Sequence, residues 1–258
     1  MPLLVVDGLN IIRRIYEAIP EPDSEEKMAD TLQSSVASLR RALLELRPTH
    51  AVMAIDFGGL TWRHALYPAY KANRKPMPQF LKLGLPQLIE AVKDMGLPCV
   101  MIEGVEADDV IATLIQLWTS RSVKDKAFIL STDKDLCQLI TLDVVVRDHF
   151  KNEWRDEAWV QTKFGVAPAQ LGDFLALTGD SSDGIPGIEG VGPKRAAIWL
   201  GMYQTLENVL ANSRFLRGKV GQNLRRDTEI ARLSRQLISF KTDITLGLTW
   251  KSLEQRLP

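Results

Sequence analysis

The chain has 258 residues, of which 45% are hydrophobic and 25% charged, a composition typical of globular proteins. Basic and acidic side chains are equal in number, which argues against a simple basic nucleic-acid binder. We expect no signal peptide and no membrane association, because no apolar run approaches about 18 residues. Cys99 and Cys137 show no pairing pattern, so we expect buried thiols in a cytoplasmic protein.

The charges are distributed unevenly along the chain. Residues 1–185 carry 20 basic and 26 acidic side chains, whereas residues 186–258 carry 12 basic and 6 acidic ones. This division predicts an acidic site in the first part of the chain and a basic surface in the second. An enzyme that acts on a polyanion would need both.

Five short apolar segments predict buried strands, because each is a nearly continuous run of aliphatic residues. They are residues 3–7, 51–56, 99–102, 127–130 and 144–146. Apolar side chains at helical spacing predict helices at about residues 31–46, 85–95 and 110–118. Strands that alternate with helices indicate an α/β fold with a mostly parallel central sheet flanked by helices.

Carboxylates stand where four of these strands end. They are Asp7, Asp56, the cluster of Glu106, Asp108 and Asp109, and the pair Asp133 and Asp135. Acids in the first turn of a helix are ordinary by themselves, because a helix N-terminus favours negative charge. In a parallel sheet, however, the carboxyl ends of the strands meet at one edge, where ligands bind. Converging carboxylates would repel each other unless a cation neutralised them, so we predict a metal site.

The connection at residues 62–78 mixes aromatic and cationic side chains and is interrupted by three prolines. It can be interpreted as an irregular, solvated connection. Because it follows Asp56 at the same edge as the acids, it is also a candidate for gripping phosphates and stacking a base.

After about residue 160 the strand-like runs end and helix signals with glycine and proline turns take over. Helices are predicted at residues 171–177, 193–200, 206–210 and 226–238. We therefore predict one α/β domain at residues 1–160 and a helical region at residues 161–258.

The most specific signal in the helical region is the sequence Gly190-Val191-Gly192-Pro193-Lys194, followed by Arg195. The two glycines allow a tight hairpin, and proline suits the first turn of the next helix. Backbone N–H groups and a positive helix end would then face outward, ready for a phosphate. The segment thus predicts a helix–hairpin–helix grip on a DNA backbone, with a plain inter-helix turn as the alternative.

Taken together, these motifs resemble those of the bacterial 5′-nuclease/flap endonuclease family, which is related to the 5′-nuclease domain of DNA polymerase I. The motifs that carry the resemblance are Val6-Asp7-Gly8, Asp56, Tyr70-Lys71-x-x-Arg74, Glu106-Ala107-Asp108-Asp109, Ser131-Thr132-Asp133-Lys134-Asp135, the segment from Gly179 to Gly187 with Asp180 and Asp183, and the glycine hairpin. The chain looks most like the stand-alone exonuclease IX type. In that type some acids of the second metal site can be missing, whereas Asp135, Asp180 and Asp183 are present here.

The resemblance implies two Mg²⁺ ions per chain, with Mn²⁺ as an alternative. The first would be held by Asp7, Asp56, Glu106 and Asp108, and the second by Asp109, Asp133, Asp135, Asp180 and Asp183, directly or through water. Lys71 and Arg74 would clamp the scissile phosphate. Residues 62–84 would form a short arch beside the 5′ strand.

The resemblance also implies one K⁺ bound by main-chain carbonyls in the helix–hairpin–helix. Those carbonyls would belong to Leu177, Thr178, Pro186, Ile188 and Val191. The DNA contacts would come from Gly190, Val191, Gly192, Pro193, Lys194, Arg195 and Tyr70. The expected substrate is DNA with a 5′ flap or a branched duplex, and protein partners are not predicted.

Four other functions remain open from the sequence: a 5′–3′ exonuclease without flap preference, a non-catalytic DNA-binding module, a ribonuclease of the small α/β type, and a nucleotide-binding enzyme. The glycine hairpin argues against the ribonuclease, which has no need of a double-strand grip. The absence of a glycine-rich phosphate loop after the first strand argues against the nucleotide-binding enzyme.

Overall fold

A computed structural model describes residues 1–121 and 125–255. Its strands are β1 (Leu3–Asp7), β2 (His50–Asp56), β3 (Cys99–Ile102), β4 (Ala127–Leu130), β5 (Val144–Asp148) and β6 (Glu153–Arg155). Its helices are α1 (Gly8–Ala18), α2 (Glu25–Leu46), α3 (Trp62–Leu66), α4 (Gln79–Asp94), α5 (Ala107–Thr119), α6 (Glu157–Phe164), α7 (Leu171–Thr178), α8 (Pro193–Tyr203), α9 (Leu206–Ala211), α10 (Gly218–Arg226) and α11 (Thr228–Ile238).

The six strands form one sheet in the order β3-β2-β1-β4-β5-β6. The first five are parallel to their neighbours, and only β6 runs antiparallel to β5. The predicted mostly parallel α/β sheet is therefore confirmed. The sequence analysis missed β6, which has three residues and follows a tight turn.

Both faces of the central strands are buried, because their alternate side chains enter separate cores. Leu4 and Val6 of β1 pack in the core that contains residues of α1, α2 and α4. Leu3 and Val5 pack in the core on the opposite face, with α5 and the C-terminal helices. The C-terminal helical region thus completes the second face of the sheet.

Helix α1 was not predicted, because it begins directly at the end of β1 without a turn. Gly8 permits this start, since an added Cβ would lie 2.8 Å from the Ala54 carbonyl oxygen of β2. Helix α2 begins six residues before the predicted position of Thr31, with Ser24 accepting a hydrogen bond from the Lys27 N–H as its cap. Its first two turns are mostly polar, so they carry a weak periodic signal.

The predicted helix at residues 226–238 corresponds to α11, which begins two residues later at Thr228, whereas α10 before it was not predicted. The predicted domain boundary near residue 160 lies inside α6, where Val160 is fully buried. We propose that the division falls at Gly165, which ends α6 in a left-handed conformation.

Neither cysteine forms a disulfide: Cys137 is buried and Cys99 is half-buried. Within the described residues, none of the helices has the combination of length and apolar character that crossing a lipid bilayer requires.

Candidate metal centre and nucleic-acid interface

The carboxyl edge of the sheet gathers the acids that follow β1, β2 and β4. Asp7 is buried at the end of β1, and its Oδ2 accepts a hydrogen bond of 2.6 Å from the Ser131 hydroxyl just after β4. Asp56 Oδ1 at the end of β2 accepts a hydrogen bond of 2.8 Å from the Ala107 N–H at the start of α5. These contacts fix both carboxylates at the same edge, beside Asp108 in the first turn of α5.

The segment after β4 forms a compact acidic loop. Asp133 Oδ1 accepts a hydrogen bond of 2.9 Å from the Asp135 N–H, so the two carboxylates are held close to each other. Asn10 of α1 anchors the loop by accepting hydrogen bonds of 2.9 Å from both the N–H and the hydroxyl of Thr132. The loop therefore has a defined position against α1.

A trough of about 480 Å³ lies at this edge of the sheet. The acids that line it are Asp7, Glu17, Asp56, Asp108 and Asp133, and the cations are Lys71, Arg74, Arg13 and Arg14. The trough thus brings carboxylates and cationic side chains together in one cavity. Its carboxylates can hold divalent cations, and its cationic side chains can bind the phosphates of a polyanion.

Repulsion and burial both act on the carboxylates of this site. Burial raises the pKa of Asp7 to about 7, and the charges of Asp56 and Asp133 add to the rise. Burial also raises the pKa of Asp135 to about 7, again with help from Asp133. The pKa of Asp108 lies well above its usual value because of burial and the charges of Asp133 and Asp7. A cation would relieve this repulsion, so the donor set fits a metal ion.

In this structure three side-chain cations neutralise the remaining acids. Lys71 Nζ donates a hydrogen bond of 2.6 Å to Glu106 Oε2. The Arg74 guanidinium is paired with Asp183.

Lys134 Nζ donates a hydrogen bond to Asp180 and lies 3.5 Å from Asp135 Oδ1. This oxygen of Asp135 is buried and has no hydrogen-bond partner among the described residues. Within residues 1–121 and 125–255, no three His, Cys, Asp or Glu side chains converge closely enough to hold a metal ion as they stand. Glu106, Asp183 and Asp180 are instead paired with Lys71, Arg74 and Lys134. The orphaned oxygen of Asp135 shows that this pairing is incomplete, and it fits a second cation.

One predicted metal residue has a different role. Asp109 is fully buried and accepts four hydrogen bonds of 2.9 Å, from two nitrogens of Arg63, the Trp62 indole and the Lys241 N–H. Both of its oxygens are thereby occupied. The expectation that Asp109 binds a metal ion is therefore wrong, and Asp109 has a structural role. Arg63 likewise lies in the protein interior and not on an open arch.

Tyr70 also departs from expectation. Its side chain is 3% exposed, its ring packs edge-on against His64, and its hydroxyl donates a hydrogen bond of 3.1 Å to Glu106 Oε2. A ring so enclosed cannot stack on a DNA base. Tyr70 instead positions Glu106, whose other oxygen accepts a hydrogen bond of 2.9 Å from the Thr61 hydroxyl.

The predicted arch at residues 62–84 consists of α3, a series of turns and the first part of α4. Its base is attached to the C-terminal helical region. The Lys71 N–H donates to the Asp183 carbonyl at 2.8 Å, and the Asn73 amide donates to the Ser181 carbonyl at 2.7 Å. The cations of the connection and the acids at Asp180 and Asp183 are therefore held at the same site.

The predicted helix–hairpin–helix comprises α7, the loop at residues 179–192 and α8. Gly192 is the N-cap of α8 and Pro193 its first residue, as the sequence predicts. Lys194 and Arg195 are exposed beside this helix start, and the Arg195 guanidinium donates to the Gly190 carbonyl at 2.5 Å. The helix start and its two cations are thus available to a phosphate.

The carbonyls expected to bind K⁺ lie in two segments, the last residues of α7 and the loop that follows it. Gly187 brings the segments together, since an added Cβ there would lie 2.3 Å from the Gly179 nitrogen. The Leu177 carbonyl accepts from the Ile188 N–H at 2.9 Å, and the Ile188 carbonyl accepts from the Val191 N–H at 3.0 Å. Each of these oxygens keeps a second lone pair that could face a cation.

Several residues of the site had no role in the sequence analysis. Lys134 lies between Asp133 and Asp135, two of the predicted metal ligands. A lysine between two acids is the sequence feature that could have indicated its role. Asn10, Arg13 and Arg14 enter the trough from α1, a helix that was not predicted.

The fold and the trough define an α/β protein with an acidic site at the carboxyl edge of its sheet and an attached helical region. The model of the 5′-3′ exonuclease N-terminal resolvase-like domain matches residues 2–165, and that of the 5′-3′ exonuclease C-terminal SAM fold matches residues 166–258. The chain belongs to the 5′-3′ exonuclease family.

Curated relatives agree with this assignment. Flap endonuclease Xni of Vibrio cholerae is 38% identical over 253 residues, covering 97% of this chain and 95% of its own. Flap endonuclease Xni of Photobacterium profundum is 38% identical over 259 residues, covering 99% and 98%.

Solved structures share the fold. A T5 5′-exonuclease variant superimposes with a TM-score of 0.76 at 22% identity, covering 93% of this chain and 89% of that one. The catalytic core of Rad2 in complex with a DNA substrate superimposes with a TM-score of 0.56 at 15% identity, covering 90% and 73%.

Proposed function

We propose that this protein is a divalent-metal-dependent 5′-nuclease that hydrolyses phosphodiester bonds of DNA at 5′ flaps, in replication or repair. The observation that carries the proposal is the convergence of Asp7, Asp56, Asp108 and Asp133 on one trough, with raised pKa values for Asp7 and Asp108. Family membership and the names of the curated relatives support it.

Two groups of carboxylates would hold the metal ions, which we propose to be Mg²⁺, with Mn²⁺ as a substitute. Asp108 would be central to the first group, because the charges of Asp133, Asp7 and Asp56 all act on it. Asp135, Asp180 and Asp183 would form the second. When bound, such ions lower the pKa of a water nucleophile and stabilise the leaving oxygen.

Lys71 and Arg74 would position the scissile phosphate. Both line the trough and are now paired with Glu106 and Asp183. A phosphate that enters the trough offers them a second anionic partner, so each cation can bridge an acid and the substrate. Positive charge held there also stabilises the negative charge that develops on the phosphate in the transition state.

The DNA duplex would be held by the helix–hairpin–helix through Gly190, Gly192, Lys194 and Arg195, without regard to sequence. We propose one K⁺ beside these residues, bound by the predicted carbonyls. Replacing K⁺ by a large organic cation at fixed ionic strength should weaken duplex binding, and identical affinity in both salts would argue against the ion. Free thiols and a DNA substrate lead us to propose a cytoplasmic location.

The decisive experiment is cleavage of a 5′-flap duplex labelled at either end, with Mg²⁺ or with EDTA. We expect a released flap in Mg²⁺ and none in EDTA. Asp108→Asn should abolish cleavage but keep duplex affinity, because it removes a ligand charge without touching the DNA grip. Glu103→Gln is a matched control, since Glu103 is exposed just before α5 and does not line the trough.

Product mapping also tests the alternative suggested by the family description, a 5′–3′ exonuclease without flap preference. Mononucleotides released equally from flapped, nicked and single-stranded DNA would support that alternative. Undiminished turnover of Asp108→Asn would refute the metal assignment.

A further inference from the structure

A second cavity, of about 340 Å³, lies between the C-terminal half of α2 and the β5–β6 hairpin. We call it the hairpin pocket. It is lined by Arg41, Glu45, Arg147, His149, Phe150 and Asn152. It is separate from the metal trough, and none of these residues has a role in the proposed nuclease reaction.

Two of its side chains are buried with nitrogens that lack partners. His149 is 8% exposed, and neither of its ring nitrogens has a hydrogen-bond partner among the described residues. Arg147 is 7% exposed and donates 2.7 Å hydrogen bonds to Glu45 and Asn152, yet its Nε has no partner within the same residues. Buried polar groups are nearly always hydrogen-bonded, so these nitrogens suit a ligand that brings acceptors.

The hairpin holds His149 in a fixed place. Asp148 Oδ1 accepts hydrogen bonds of 3.1 Å from the N–H groups of Phe150 and Lys151, and its Oδ2 accepts one of 3.0 Å from Arg155. The backbone on either side of the imidazole is therefore tied down. Such a preorganised site loses little conformational entropy when a ligand binds.

The charge of the pocket selects an anion. Arg41 and Arg147 contribute two positive charges, and Glu45 contributes one negative charge. Burial and the two guanidinium groups lower the pKa of His149, so its neutral ring offers one N–H donor. A net positive, donor-rich cavity fits a phosphate group, whose oxygens can accept from several donors at once.

The hairpin pocket adjoins the trough through one residue. Arg14 lines the trough, and its guanidinium carbon lies 5.2 Å from the ring centroid of Phe150, which lines the pocket. Phe150 is 38% exposed. Cations that alternate with a partly exposed aromatic ring are typical of surfaces that follow single-stranded nucleic acid.

We propose that the hairpin pocket binds a backbone phosphate of the single-stranded part of the DNA substrate, along a path that runs from the trough past Arg14. This inference rests on the proposed nuclease function. It adds Arg41, Arg147 and His149 to the residues that would distinguish a flapped substrate from an unflapped duplex.

The test compares Arg41→Gln with Arg40→Gln, because both arginines are exposed neighbours on α2 and only Arg41 lines the pocket. Affinity is measured in EDTA for a duplex with a long 5′ flap and for the same duplex without a flap. We expect Arg41→Gln to weaken flapped-DNA binding about tenfold, the effect of one charged hydrogen bond, and to leave unflapped binding unchanged. Equal affinities of the two variants for flapped DNA would overturn the proposal.

A second measurement tests the pocket without DNA. The chain has three histidines, so the imidazole ¹⁵N NMR signals of His149 can be assigned with His149→Gln. Inorganic phosphate, added at fixed ionic strength, should shift the His149 signals in the wild type and Arg40→Gln, but less in Arg41→Gln. Phosphate binding without any effect of Arg41 on flapped DNA would assign the pocket to free phosphate and overturn the strand proposal. If the wild type does not cleave a flap, the proposed nuclease function is refuted. The phosphate titration would still show whether the hairpin pocket binds phosphate.

Discussion

Asp109 forms a buried ion pair with Arg63, whereas its neighbour Asp108 lies in the proposed metal site. A substitution at each position can therefore separate a structural role from metal binding. We predict that Asp109→Asn strongly destabilises the protein. The substitution removes the only full charge on Asp109 and turns an amide donor toward a guanidinium that is itself a donor. Among the described residues, the Arg63 guanidinium, which is 2% exposed, would keep only the more distant Glu106, at 3.5 Å, as an anionic neighbour.

The expected magnitude follows from this burial. Breaking a buried ion pair by removing one partner costs about 3–5 kcal/mol, because an uncompensated charge is left inside the protein. Arg63 also donates hydrogen bonds of 2.8 Å to the carbonyls of Leu237 and Ser239, so it joins α3 to the end of α11. For a chain of this size, the loss corresponds to a melting temperature lower by roughly 6–20 °C.

The assay is urea unfolding of the metal-free protein, followed by circular dichroism, together with Mg²⁺ binding by calorimetry. Asp108→Asn is the control, since this neighbour lies among repelling acids and its neutralisation should not destabilise the fold. The double variant Arg63→Met/Asp109→Leu should recover part of the lost stability, because it removes both charges. Wild-type stability of Asp109→Asn combined with weaker Mg²⁺ binding would refute this reasoning and return Asp109 to the metal site.

Three further predictions concern the candidate metal centre. Lys134→Ala should raise the affinity for a second Mn²⁺ roughly tenfold, because the Lys134 ammonium competes with the metal for the carboxylates that it neutralises. Lys134→Arg keeps the charge and should leave the affinity unchanged. Equal Mn²⁺ affinities of the wild type and Lys134→Ala in calorimetry would contradict this prediction. Lys71→Ala should slow single-turnover cleavage more than it weakens DNA binding, and equal losses would make Lys71 an ordinary backbone contact. Asp7 and Asp135 have pKa values near 7, so the folded protein retains protons that the unfolded chain releases. The contribution of these protonated acids to the free energy of unfolding is therefore complete below a pH of about 4 and is lost as the pH rises through about 7. The unfolding free energy in EDTA should therefore fall between about pH 4 and pH 7, and a rise would contradict the assignment.

Much of the fold could be predicted because its signals are local. The parallel strands β1, β2 and β5 are buried on both faces, so their sequences are continuous apolar runs that can be recognised without knowledge of their neighbours. The signal for the glycine hairpin before Pro193 is also local, because adjacent residues determine both the backbone conformation of the hairpin and the start of the next helix. By contrast, β6 has only three residues, too few to show a pattern. Helix α1 follows β1 without a turn to separate them, although its buried Ile11, Ile12 and Ile15 do recur at helical spacing.

The sequence by itself determined which acids stand at the carboxyl edge of the sheet, because a strand fixes the position of the residue that ends it. Only the tertiary structure decided what each acid does. Asp108 and Asp109 are adjacent, but successive helical residues point about 100° apart, so Asp108 enters the trough and Asp109 meets Arg63. The partners of Tyr70 and the enclosure of His149 depend in the same way on segments far apart in sequence. Those contacts are set by how helices and loops pack, which no local pattern records.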